Sequence, residues 1–118
     1  MVDTLEHDLG AVSSVLLCTA AGVPLAADGL PDAEVRRAAR LTGGMFAAGR
    51  ELGGRGEGLQ TIQLSSGEQH TVIAAVPVPG QETLVLSATA EGVGLGVLLV
   101  RTRQVVDDLR EVLSAAAE

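Results

Sequence analysis

The chain contains no Trp, Tyr, Lys or Asn, and only one Phe (Phe46) and one Cys (Cys18) in 118 residues. Each absence removes a class of function. Without aromatic faces there is no cage for a quaternary amine and no platform for stacking nucleic-acid bases. A lone Cys cannot close an internal disulfide. Cys18 lies in the apolar run Val15-Leu16-Leu17-Cys18, so it reads as a small buried hydrophobe rather than a nucleophile. Positive charge is scarce. Eight basic residues, all Arg, stand against 15 Asp and Glu, for a formal net charge of −7 and a pI near 4.7. Binding nucleic acid by neutralising phosphates needs a basic face, so no nucleic-acid partner is expected. Long apolar runs are missing too. The longest, residues 92–100, falls well short of the ~20 residues a membrane span needs. The acidic start lacks the basic and apolar regions of a secretory signal. A cytoplasmic protein with no membrane insertion is expected.

What is present builds a core. Hydrophobic residues make up 47% of the chain and charged ones 19%, the balance of a folded domain rather than a disordered segment. A chain of this mass should fold to a surface of about 6,000 Å² against about 17,000 Å² unfolded, enough burial for one aliphatic core. Residues 1–118 are read as a single domain.

The order of elements follows from periodicity and turn signals. Leu5 and Leu9, at i and i+4, suggest a short helix over the first nine residues. Residues 13–20 read as a near-continuously apolar, central strand. Ala21-Gly22 supplies a two-residue turn, and residues 23–27 return as an edge strand with Pro24 near its start. Leu30-Pro31-Asp32 opens a helix running to about Leu52, with Glu34 near its positive end. At 100° per residue, Val35, Ala38, Ala39, Thr42, Phe46 and Gly49 share one face, flanked by Leu41, Met45, Ala48 and Leu52. That apolar arc is wider than the ~100° stripe one sheet requires, which points to a second burying partner. Strands are expected over residues 59–64, 70–78 and 83–88, with turns at Ser65-Ser66-Gly67 and Pro79-Gly80. After Glu91-Gly92-Val93-Gly94 a last helix runs to about Ala116. Tight hairpins make the sheet antiparallel and the fold class α+β.

The candidate chemistry is sparse. Gly92-Val93-Gly94-Leu95-Gly96-Val97 follows a strand and opens a helix. It nevertheless has Val where a dinucleotide fingerprint needs its third Gly, so these glycines read as spacers that let the helix start close to the sheet. The glycine loop at residues 53–58 has no G-K-[ST] and is not a nucleotide-binding loop. Asp3 and His7 are too few to hold a metal. Ser65 and His70 form two-thirds of a nucleophilic constellation without an orienting acid. Arg50 and Arg55 flank the glycine loop and could present a cation to a partner's phosphate. Catalytic, cofactor-binding and metal residues are all read as none, and the chain is read as a non-enzyme. The informative remainder is the small-residue pattern Gly43, Gly44, Ala47, Ala48, Gly49 and Gly53. A helix-interior Gly costs about 1 kcal/mol relative to Ala, so its use suggests close backbone approach to another element, such as the same helix of a second copy.

Taken in succession, the hairpin from Val15 through Ala21-Gly22-Val23-Pro24-Leu25, the Ala/Gly-rich helix ending at Gly53-Gly54, Gln60-Thr61-Ile62 and the Leu84-Val85-Leu86 strand resemble the roadblock/dynein-light-chain family in its short bacterial, actinobacterial form. The lack of Lys, Asn and Tyr beside abundant Ala, Gly and Val fits the codon usage of a GC-rich genome. The resemblance implies a five-stranded antiparallel sheet with the central helix on one face and two terminal helices on the other. It also implies a homodimer formed through the central helix and the third strand, and a regulatory or scaffold role toward a Ras-like small GTPase in signalling. A GTPase-activating or adaptor role and a sensor-kinase-like second partner go with it. On the residues themselves, the expected dimer interface is Leu41, Gly44, Met45, Ala48 and Leu52 from the helix and Gln60, Ile62 and Leu64 from the strand. The alternatives are a small-molecule sensor or enzyme using the sheet as a pocket floor, or a pure scaffold for the kinase-like partner.

Overall fold

Short runs of Val, Leu, Ile, Ala and Thr produce five strands: β1 (Val12–Thr19), β2 (Pro24–Asp28), β3 (Thr61–Ser66), β4 (Gln69–Val76) and β5 (Leu84–Glu91). Two helices, α1 (Asp32–Leu52) and α2 (Leu95–Ala117), complete the computed structural model, which describes residues 12–52, 61–78, 80 and 82–117. The expected helix over the first nine residues lies outside the described residues. All strand pairs are antiparallel, and the sheet order is β2-β1-β5-β4-β3.

Alternate residues of the central strands feed two cores. Val15 and Leu17 of β1, Val72, Ala74 and Val76 of β4 and Leu86 and Ala88 of β5 meet Leu98, Val105, Val106 and Leu109 of α2. On the other face, Leu16, Cys18, Ile73 and Val85 meet Ala39 and Phe46 of α1. Central strands buried on both sides need apolar residues at successive positions, which is why β1 reads as a run rather than an alternation. Phe46, the largest of these fully buried side chains, is 2% exposed. Burying such a side chain contributes about 1.5–3 kcal/mol. Thr102 is fully buried within α2, and its hydroxyl donates to the Leu98 carbonyl at 2.6 Å. That bond to its own helix is what makes a polar residue tolerable there.

Several boundaries differ from expectation. The β1–β2 connection spans four residues rather than two: Thr19 N–H donates to the Val23 carbonyl at 2.9 Å, and Thr19 Oγ1 accepts from Val23 N–H at 3.0 Å. β4 ends at Val76, two residues early, because Pro77 has no N–H to give to a ladder. β5 continues to Glu91, beyond the expected 88, with Thr89 opposite Thr71 and Ala90 opposite His70. The glycines opening α2 do not serve close packing. A Cβ on Gly94 or Gly96 would meet open space, and of this group only Gly92 has a conformational need for glycine, at φ +77°.

Close approach occurs instead at Gly43, and the element approached is the chain's own hairpin. A Cβ at Gly43 would stand 2.9 Å from the Ala20 carbonyl oxygen and 3.1 Å from Gly22 N, both backbone atoms. Gly44, its neighbour, has nothing within 4 Å. The contact at Gly43 locks α1 onto the β1–β2 turn, where Gly22 takes the left-handed φ of +92°.

That contact has a measurable cost if it is disturbed. Gly43→Ala should lower stability by about 1–2 kcal/mol in urea denaturation, because the backbone clash outweighs the ~1 kcal/mol gain in helix propensity. An unchanged or raised midpoint would show that the hairpin yields freely.

Cys18 is fully buried, and burial pushes its thiol up from 9.0 to about 11. A folded pKa above the unfolded one means the native state holds its proton longer. Stability from this group is therefore complete below pH 9 and is lost as pH rises from 9 to 11, by up to about 3 kcal/mol in all. Thiol labelling at pH 8 should be slow in the native protein and fast in urea; rapid native labelling would contradict the burial.

Candidate functional site

The sheet has two outer strands, and they carry different surroundings. β3 pairs with β4 from Thr61 opposite Ala74 to Ser66 opposite Gln69, and its other side has no partner among the described residues. Ile62 and Leu64 lie on the α1 face of the sheet by their alternation with the inward register of β4, where Ile62 stands opposite Ile73. α1 packs over β1, β2 and β5 rather than over β3. The α1 side of β3 is thus left as the floor of an open groove.

The wall of that groove is the flank of α1 that turns away from its own core. Ala39, Thr42, Gly43 and Phe46 are buried against the sheet. Met45, Ala48, Gly49 and Leu52 line the groove opposite Thr61, Ile62 and Leu64, enclosing about 420 Å³. Leu52 is 91% exposed and Leu64 42%. These large apolar side chains form a contiguous exposed patch beside the outer edge of β3.

Five of the eight expected interface residues meet here: Met45, Ala48, Leu52, Ile62 and Leu64. Leu41 and Gly44 stand on α1 outside the groove lining. Gln60 lies outside the described residues. Gly49 and Thr61 line the groove without having been expected there. Helical phase places Gly49 on the sheet-facing arc with Phe46, but it stands at the edge of that arc and lines the groove instead.

The other candidates dissolve into structure. Ser65 Oγ and His70 Nδ1 are 2.7 Å apart because β3 and β4 place them directly opposite, toward the turn end of the hairpin. No acid orients that pair among the described residues, so it is a cross-strand hydrogen bond of the hairpin. Arg50 lies with its guanidinium 5.6 Å from the centre of the Phe46 ring, a cation–π contact that closes the end of the α1 core. Arg55, Asp3 and His7 lie outside the described residues. Among the described residues there is no cluster of three metal-ligating side chains, and no helix is long and apolar enough to cross a membrane.

No protein-family model matches the sequence, and no curated protein matches it either. Solved structures do. A Roadblock/LC7 domain from Streptomyces avermitilis superposes with a TM-score of 0.80 at 19% identity, over 94% of this chain and 92% of that one. MglB from Myxococcus xanthus gives 0.76 at 20% identity, over 95% and 90%. The gliding protein MglB from Thermus thermophilus gives 0.75 at 18% identity, over 97% and 88%. TM-scores of 0.75–0.80 with near-complete mutual coverage agree on one architecture: this chain has the Roadblock/LC7 fold.

Proposed function

We propose that the chain is a homodimeric, non-catalytic regulatory or scaffold module that binds a Ras-like small GTPase in the cytoplasm of a bacterium. The observation that carries the dimer is the apolar groove beside an unpaired strand, assembled from residues the sequence already marks as surplus to one core. A second copy related by a two-fold axis would bring β3 to β3 and α1 across α1, each covering the other's Leu52, Met45 and Leu64. Gly44, bare of neighbours within the chain, suits the crossing point of two helices. Support for the GTPase comes from the shared fold with bacterial gliding proteins, together with the family resemblance in the sequence.

A small-molecule sensor is the competing reading, since about 420 Å³ lies within the range of ligand pockets. Among the described residues Thr61 is the single polar side chain of the lining, however, and a specific ligand needs several convergent polar groups. A scaffold for a sensor-kinase-like protein shares the dimer and differs in its partner.

Gly44→Arg tests the dimer cleanly, because the open space around Gly44 lets the single chain fold with the larger side chain. At a two-fold crossing the same substitution buries unpaired charge, at a cost of several kcal/mol. Light scattering at micromolar concentration should give about twice the chain mass for the wild type and about one chain mass for the variant. A monomeric wild type, or a variant that dimerises unchanged, would remove the interface. With the dimer established, the immobilised protein should retain a native-lysate protein that binds a fluorescent GTP analogue. Retention of a kinase-like protein alone would favour the pure scaffold, and a large thermal shift with a metabolite would favour the sensor.

A further inference from the structure

The edge opposite the groove carries a second unpartnered surface of different chemistry. β2 pairs only with β1, so its outer backbone edge has no partner among the described residues. Leu25 is passed over where the β1–β2 register steps from Leu17–Ala26 to Cys18–Pro24, two residues before Ala27, which packs beneath α1; it is 52% exposed, and Val23 in the preceding turn is 55% exposed. The flank of α1 above them is the one Gly43 holds against the β1–β2 turn. Arg36 and Arg40 lie one turn apart on that flank, and both are exposed. The Arg40 stem runs beside Gly22, with Cγ 3.6 Å from where a Gly22 Cβ would stand. Neither guanidinium has an ion-pair partner among the described residues. Two cations without a counter-charge among the described residues, beside a strand edge likewise without a described partner, stand out in a chain of net charge −7.

We propose that the β2 edge accepts an extended, acidic segment of a partner protein as a sixth strand. Backbone N–H and C=O groups of β2 supply the pairing, Leu25 and Val23 receive alternate apolar side chains, and Arg36 and Arg40 pair with carboxylates between them. The same two arginines select against a second copy of this chain. A two-fold pairing of β2 with itself would bring Arg36 and Arg40 toward their own symmetry mates, a like-charge arrangement that acts as a barrier. Asp28, at the far end of β2, repels carboxylates and confines them to the half of the strand nearest Val23. Pro24 withholds one donor, which keeps the added strand short. The surface lies at the opposite edge of the sheet from the β3 groove.

The test uses two seven-residue peptides, one alternating valine with glutamate and one alternating valine with lysine, added to the isotope-labelled full chain. The glutamate peptide should shift amide resonances of β2 and slow their hydrogen exchange, leaving β3 unchanged. The lysine peptide should bind at least about tenfold more weakly, and the double variant Arg36→Ala, Arg40→Ala should lose about five- to tenfold in affinity for the glutamate peptide. The Gly44→Arg variant should bind it as the wild type does, which separates this surface from the dimer. Equal binding of the two peptides, an unaffected double variant, shifts centred on β3, or no binding of the glutamate peptide at millimolar concentration would each overturn the proposal.

Discussion

The seating of α1 depends on one contact between backbones. Gly43 brings the helix against Ala20 and Gly22 at a separation no side chain would permit, so α1 is drawn toward the β1–β2 side of the sheet. Everything else about its surroundings follows. Phe46 and Ala39 fall over β1 and β5, where they close a core. Among the described residues β3 adds only Ile62 to the margin of that core, and the flank bearing Met45, Ala48 and Leu52 becomes the wall of a groove beside it. The polar pair Thr71 and Thr89, bonded hydroxyl to hydroxyl at 2.8 Å, satisfies itself across β4 and β5 and asks nothing of a helix.

The two outer strands of the sheet thus differ by chemistry rather than by accident of length. On the β3 side the groove lined by Met45, Leu52 and Leu64 is apolar and concave, the surface we propose a second copy covers. On the β2 side the exposed apolar residues lie beneath two cations, a surface that refuses a copy of itself. A sheet with two open edges risks unlimited growth by strand pairing. Making one edge compatible with self and the other incompatible would stop the assembly at two chains.

Much of this was legible in the sequence. The five strands and both described helices come from apolar runs and helical spacing, and the apolar arc on the central helix is wider than one core needs. What was not legible has identifiable causes. Gly43 and Gly44 are adjacent and identical in the sequence, and only the position of the hairpin decides which one needs to be glycine. The β1–β2 connection is four residues long because Thr19 caps it with both backbone and side chain, which a turn dipeptide does not reveal. The end of β5 is built from Ala88, Thr89 and Ala90, a segment without a strong strand signal of its own, and is held in place by β1 and β4 on either side. The groove was half legible: helical phase found its wall, but Thr61 and Gly49 belong to it through placement alone.

The sheet order has a consequence for how the chain reaches its native state. The two strands β1 and β5, neighbours in the interior of the sheet, are joined position by position across a gap of roughly seventy residues. A chain leaving the ribosome completes β1, β2 and α1 long before β5 exists, so the most apolar strand of the protein waits with one edge unsatisfied. During that interval β1 can pair only with β2, and the covering of Cys18 is still incomplete. Synthesis rate and chaperone access to this waiting hairpin, rather than the stability of the finished fold, then set how much of the protein is recovered.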